Sequence, residues 1–389
     1  MSDTVAMNRF RLAVPDGTLD DLHNRLRRTR WPQTYRSKPW AEGTEEGYLR
    51  DLCAYWANGY DWRAREAEIN RLPQFVTKLG GRDLHFVHVK SPHPGAAPLL
   101  ITHGWPGSFL EMRDLVPLLT DPADPQDAFN VVVPSIPGYG LSEAPAAPGT
   151  SPEAIGSIFV SMMERLGYSR FFAQGGDFGA TISCWIARRH ADRLTGLHLN
   201  LLPGTLRPSR DDIDRQPLTT AEQRFVAASA QFAEDGSGYM HMHRTRPQTL
   251  AYGLTDSPVA LASWIIEKFF AWSDCNGNLE QVIPRNLLLD NLTLYWVTNT
   301  IASSLRLYRE HALAPLLLNQ GEKITTPTGY AVFPREISLP PREMLQRSFS
   351  DLRRYTEMPR GGHFAAMEQP NALAAEIKAF FRPLRAALL

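Results

Sequence analysis

Lysine is nearly missing from this chain. Lys38, Lys78, Lys90, Lys268, Lys323 and Lys378 stand against 35 arginines, a bias of coding composition rather than a sign of function. Neither sign of charge is in excess, since 41 basic side chains balance 41 acidic ones. A neutral chain lacks the field that draws nucleic acid or an anionic membrane surface, so neither is an expected partner. Cysteine is scarce as well. Cys53, Cys184 and Cys275 are odd in number, far apart and without metal-ligand spacing. That argues against a disulfide framework and a metal site, and for free thiols in a reducing compartment. Long apolar runs are also missing, and no stretch approaches the ~20 residues of a membrane span. Residues 1–14 are polar, with Asn8, Arg9 and Arg11, and lack the apolar centre of a signal peptide. The expectation is a soluble, cytoplasmic protein without a membrane anchor.

What is present is enough chain, 389 residues at 43% hydrophobic content, for one large α/β domain with added segments. Residues 1–95 read as a mostly helical lead-in. Thr18-Leu19-Asp20-Asp21 resembles a capping box ahead of a Leu19, Leu22, Leu26 stripe. A second helix is expected from Thr44, a third stretch over 62–72 stops before Pro73, and 82–89 alternates as a strand does. Over 96–204 the rhythm becomes strand, loop, helix, with apolar runs at 99–102, 129–134, 170–174 and 194–202. That alternation predicts a mostly parallel sheet covered by helices on both faces. Residues 205–315 read as a helical, aromatic-rich insertion, a cap, with Ser257-Pro258 opening one helix and 286–308 forming another. Over 316–389 strand signals return at 325–333 and 352–358 before a closing helix at 372–381.

The chemistry centres on Gln174-Gly175-Gly176-Asp177-Phe178-Gly179-Ala180, small residues around an Asp between a strand and a helix. This is the layout of a nucleophile elbow with Asp in place of Ser. The alternative is a Gly-rich loop with an Asp N-cap. Three further segments fall where strands end. His363 follows the last strand in Arg360-Gly361-Gly362-His363-Phe364, and its imidazole suits a general base. Glu336 follows Phe333-Pro334-Arg335 and could orient that imidazole. Asp351 is a weaker acid candidate because it precedes a strand. His103-Gly104-Trp105-Pro106 turns sharply, so the backbone N–H groups of Trp105 and Phe178 are candidate oxyanion donors. A carboxylate nucleophile attacks an sp3 carbon sensibly and gives an ester, which points to epoxides or alkyl halides as substrates.

These segments together resemble the microsomal-type epoxide hydrolases of the α/β-hydrolase superfamily, from about Phe10 to the C-terminus. Phe10-Arg11-Leu12, Val14-Pro15 and Thr29-Arg30-Trp31-Pro32 resemble the N-terminal region of that family, and His103 to Ser108 its oxyanion segment. Gly175 to Gly179, Phe333 to Glu336 and Arg360 to Ala366 resemble its nucleophile, acid and base segments. The resemblance implies an α/β-hydrolase fold and an epoxide opened by Asp177, with Glu336 and His363 hydrolysing the ester to a vicinal diol. It also implies two proton-donating tyrosines in the cap. Gly238-Tyr239-Met240-His241 resembles the first site and Ser303 to Tyr308 the second, giving Tyr239 and Tyr308, with Tyr252 and Tyr295 as fallbacks. No metal or organic cofactor is implied, and the partners are a small epoxide and water, with a homodimer as one possible assembly. Trp264, Phe269, Phe270 and Trp296 point to an apolar pocket for aryl or bulky epoxides. The role is detoxification or antibiotic biosynthesis, since some microbial relatives serve enediyne pathways. A hydrolytic dehalogenase is the alternative, and a non-catalytic ligand-binding protein a remote one.

Overall fold

A computed structural model describes residues 7–35, 37–208 and 210–388. Among these, nine strands form one sheet: β1 (Asn8–Phe10), β2 (Gln74–Leu79), β3 (Arg82–Val89), β4 (Ala97–Thr102), β5 (Phe129–Pro134), β6 (Phe171–Gly175), β7 (Leu194–Leu199), β8 (Thr328–Val332) and β9 (Leu352–Glu357). Their spatial order is β1-β2-β3-β5-β4-β6-β7-β8-β9. The edge from β1 to the β3–β5 pair is antiparallel, and every pair from β5 to β9 is parallel. Leu99, Leu100, Val131, Val132, Phe171 and Phe172 are fully buried or nearly so. Helices on both faces explain why these strands are continuous apolar runs rather than alternating ones.

Before β4 lie α1 (Asp16–Arg27), α2 (Glu46–Asn58) and α3 (Trp62–Ile69). Then come α4 (Leu115–Thr120), α5 (Pro152–Arg165) and α6 (Asp177–Arg189). Between β7 and β8 the chain is helical: α7 (Arg210–Arg215), α8 (Thr220–Asp235), α9 (Gly238–Thr245), α10 (Pro247–Asp256), α11 (Pro258–Trp272), α12 (Arg285–Thr298) and α13 (Ile301–Leu313). Last come α14 (Arg342–Ser348), α15 (Ala365–Glu368) and α16 (Pro370–Phe381).

The N-terminal region differs from the sequence expectation in two ways. It supplies β1 and β2 as well as helices, with β2 turning into β3 through Gly80-Gly81 at φ 60° and 79°. A two-residue turn with both φ positive matches the twist of a hairpin, and only glycine adopts it freely. Helix α1 starts at Asp16 after Pro15, without a side-chain cap, so the 18–21 segment lies inside the helix. In the cap, the stretch read as one helix over 286–308 is two, broken where Asn299 takes a left-handed φ of 54°. Ser257 caps α11 as expected, accepting the Ala260 amide at 3.2 Å.

The lead-in is fastened to α12 by polar and ionic contacts. Arg65 Nη2 pairs with the buried Asp290 carboxylate at 2.5 Å, and Tyr60 Oη donates to the same group at 2.8 Å. Trp56 Nε1 donates to Thr293 Oγ1 at 2.9 Å, while Trp40 stacks on Phe270 with centroids 3.8 Å apart. No helix among the described residues is long and apolar enough to cross a membrane.

Candidate active site

The parallel strands point their carboxyl ends at one place, and four loops meet there. The loop after β6 is the tightest. Asp177 opens α6 with φ +47°, a left-handed conformation rare for a residue with a side chain. Its neighbours explain why it is held. A Cβ on Gly175 would fall 2.3 Å from the Gly179 carbonyl, and one on Gly179 would fall 1.9 Å from the Thr102 carbonyl. Strand β4, strand β6 and α6 therefore close on each other at a spacing that only glycine permits. The turn lifts Asp177 clear of the sheet, with its side chain 17% exposed.

Asp177 Oδ1 accepts the Trp105 backbone N–H at 2.8 Å. Phe178, the next residue, lies in the first turn of α6, where a backbone N–H has no partner within the helix. His103, in the same loop as Trp105, is structural. Its Nδ1 faces the Gly104 carbonyl at 3.1 Å, and its Nε2 accepts the Ile136 amide at 3.2 Å. Burial lowers its pKa to about 4.

His363 stands on the loop after β9, its Nε2 3.5 Å from Asp177 Oδ2 and its Nδ1 2.7 Å from Glu336 Oε1. Glu336 is held in turn by the Ile337 amide at 2.7 Å. The loops after β8 and β9 are themselves joined, Arg335 N donating to the Gly361 carbonyl at 3.0 Å. Burial lowers the His363 pKa, but the Glu336 and Asp177 carboxylates outweigh it and hold the imidazole well above its usual value. Asp351 lies apart, paired with Arg353 at 2.8 Å.

The other side of the site is built from rings. Tyr239 of α9 and Tyr308 of α13 are 5% and 7% exposed, with centroids 5.8 Å apart and planes at 86°. Tyr239 stacks on Trp105 at 5.4 Å, and Tyr308 packs edge-on to Phe178 at 4.7 Å. Both rings are thus pressed against the two residues whose amides are the candidate oxyanion donors. Burial raises both phenol pKa values, so both groups remain proton donors at neutral pH. Tyr308 Oη has no well-formed hydrogen bond within the protein. Of the fallbacks, Tyr252 is 70% exposed, and Tyr295 Oη is engaged with the Gly107 carbonyl at 2.9 Å.

The aromatic residues expected to line an apolar pocket divide. Trp264 lines a wide cleft between the lead-in and the cap and donates from Nε1 to His243 Nε2 at 3.0 Å. Phe269 stacks on Phe364, Phe270 on Trp40, and Trp296 lies under Arg25, so these three pack. Sequence reasoning missed Glu111, Trp272 and Glu368. Trp272 meets His363 edge-on at 5.0 Å, and its carbonyl accepts the His363 amide at 2.9 Å. Glu368 accepts the Asp274 and Phe364 amides at 2.7 and 3.0 Å, tying the segment after α11 to the histidine loop. A carboxylate five residues past His363 was the available signal. Among the described residues no cluster of three or more His, Cys, Asp or Glu is arranged to hold a metal ion.

An Asp on a strained strand-to-helix turn, with His and Glu supplied by the last two strands, defines an α/β-hydrolase. The alpha/beta hydrolase fold model matches residues 97–236, and the "Epoxide hydrolase N terminus" model matches residues 7–112. A Stigmatella aurantiaca protein, assigned by its name to the epoxide hydrolases, is 43% identical over 97% of this chain and 85% of its own. Epoxide hydrolase 1 of Sus scrofa is 37% identical over 95% of this chain and 87% of its own. The solved epoxide hydrolase of Aspergillus niger superposes with a TM-score of 0.85 at 31% identity, covering 98% of this chain and 97% of that one. The juvenile hormone epoxide hydrolase of Bombyx mori gives 0.88 at 27%, covering 98% and 96%. The chain belongs to the epoxide hydrolase family and is an enzyme of that class.

Proposed function

We propose that the chain converts an epoxide to a vicinal diol in two half-reactions on Asp177. In the first, an Asp177 carboxylate oxygen attacks a ring carbon while Tyr239 and Tyr308 hydrogen-bond the epoxide oxygen. The C–O bond breaks, the phenols stabilise the alkoxide and protonate it, and a hydroxyalkyl ester remains. In the second, His363 takes a proton from a water that attacks Asp177 Cγ. The Trp105 and Phe178 amides receive the oxyanion, and the alcohol leaves with a proton from the imidazolium. The proton then left on Asp177 returns to the phenolate that protonated the first alkoxide, which restores the carboxylate.

The observation that carries this reading is the Trp105 N–H to Asp177 Oδ1 contact at 2.8 Å beside His363 Nε2 at 3.5 Å from Oδ2. One oxygen already occupies the oxyanion position, and the other faces the base. Electrostatics set the order of events. Esterification removes the Asp177 charge that helps hold the His363 proton. The imidazole therefore becomes a better base once the ester exists.

The dehalogenase alternative is weaker here. A halide ion needs N–H donors beside the nucleophile, and the Phe178 ring, packed on Tyr308, provides none. Tyr239 also lines the wide cleft between the lead-in and the cap, which is where an aryl or bulky epoxide would approach. Intact-protein mass spectrometry of His363→Gln with styrene oxide tests the proposal. An adduct of the epoxide's mass on Asp177 is expected. Turnover by the native protein with no adduct in the variant would overturn it.

A further inference from the structure

The loop after β4 carries a carboxyl group that the Asp–His–Glu set does not use. Glu111 lies on the short 3-10 turn Phe109–Met112, which Ser108 opens by accepting the Leu110 amide at 3.3 Å. Its side chain folds back over Gly107, where a Cβ would fall 1.5 Å from Glu111 Oε1. The glycine leaves the space that the carboxyl fills. Glu111, Asp177 and His363 share the wall of one cavity of about 20 Å³. Glu111 is half-buried on the wall of that cavity.

The cavity suits water by size and by chemistry. A water needs roughly 10–15 Å³ and two or more polar partners. Gln174 Oε1 and Thr102 Oγ1 are buried without hydrogen-bond partners, and both residues belong to the same wall. An apolar occupant would leave those two atoms unmet.

We infer that Glu111 is a second anchor of the hydrolytic water: its carboxyl accepts one water proton in a hydrogen bond while His363 Nε2 removes the other. The water's lone pair is then directed at Asp177 Cγ. The inference rests on the reading of Asp177 as the esterified nucleophile. Burial pushes the Glu111 carboxyl up to about 8; the His363 charge opposes this and the Asp177 charge adds to it. At neutral pH Glu111 is therefore mostly a neutral carboxyl, and its carbonyl oxygen is the acceptor that the water meets. The step balances: the water oxygen bonds to Cγ, the ester C–O bond breaks, and the alkoxide takes the imidazolium proton. The proton left on Asp177 returns to the phenolate that protonated the first alkoxide, and Glu111 ends as it began.

The test separates the half-reactions of Glu111→Leu, which keeps roughly the side chain's size but removes both oxygens, in a rapid-quench experiment with styrene oxide. Ester formation on Asp177 should keep its native rate. Ester hydrolysis should slow by about 10-fold, the value of one hydrogen bond, so the adduct accumulates during turnover. Glu111→Gln, which keeps an acceptor oxygen, should hydrolyse the ester near the native rate. Glu111→Asp, which withdraws the carboxyl by one methylene, should recover part of the hydrolysis rate and carries the same test if the leucine variant does not fold. Native hydrolysis in Glu111→Leu, or equal slowing of both half-reactions, would overturn the inference. If His363→Gln forms the Asp177 ester and Glu111→Leu hydrolyses it normally, only the role of Glu111 falls. If neither variant nor the native protein forms the ester, the covalent reading falls and takes this role with it.

Discussion

The two halves of the site are held by different physics. The sheet half, Asp177 with Trp105, Phe178, His363 and Glu336, is fixed by backbone. Strand ends, a left-handed φ at Asp177 and glycines whose added Cβ would fall within 2.5 Å of backbone leave it one arrangement. The cap half, Tyr239 and Tyr308 with Trp105, Trp272 and His243, is fixed by ring packing at centroid spacings of 4.7–6.4 Å. Backbone constraint tolerates almost no substitution. Ring packing tolerates exchange of one large side chain for another at modest cost. A nucleophile must be placed within a fraction of an ångström, whereas hydrogen-bond donors to a moving oxygen profit from some adjustment.

Substitutions can break that contrast, and the largest effect belongs to Asp177, the proposed nucleophile. Asp177→Asn should lower kcat by about 10⁴-fold or more with the fold intact, measured by diol formation and thermal melting. Glu336→Gln should follow. It leaves the His363 Nδ1 facing an amide in place of a carboxylate at 2.7 Å, and kcat should fall by about 10³–10⁴-fold. Gly179→Ala should cost about 3 kcal/mol or more of stability in urea unfolding, because its Cβ meets backbone rather than a movable side chain. On the cap half, Tyr308→Phe and Tyr239→Phe should each slow ester formation by only about 10- to 100-fold, because the other phenol remains. The doubly substituted protein should lose far more than either. Tyr252→Phe, at a residue 70% exposed, should change nothing.

The pH response sharpens the same contrast. The His363 pKa is raised, so the stability it contributes is fully present below the ordinary value near 6.5. That stability is lost as pH rises through the raised folded value. Asp177→Asn removes one of the two carboxylates and should move the imidazole titration, followed by NMR, downward.

The contrast also explains what the sequence disclosed. Gly175, Gly176, Gly179 and the strand runs around them were legible because a tight turn admits so few residues. The positions of His363 and Glu336 follow from chain order along a parallel sheet. The phenols were legible only through resemblance, since any of 12 tyrosines could pack in a helical cap. Glu111 was invisible, because nothing in Phe109-Leu110-Glu111-Met112 says that the carboxyl turns back over Gly107. Strands β1 and β2 went unread although Gly80-Gly81 is a hairpin signal, because the preceding helical pattern and Pro73 drew the boundary alone. The break at Asn299 was hidden by apolar periodicity that runs through it.

The most direct test of the covalent account is a single turnover in oxygen-18 water with enzyme in excess over epoxide. Water attacks Asp177 Cγ in this account, so the first diol formed should carry no label and the Asp177 peptide should carry it. Label in the diol on that first turnover, with Asp177 unlabelled, would mean that water opens the epoxide directly and would contradict the account.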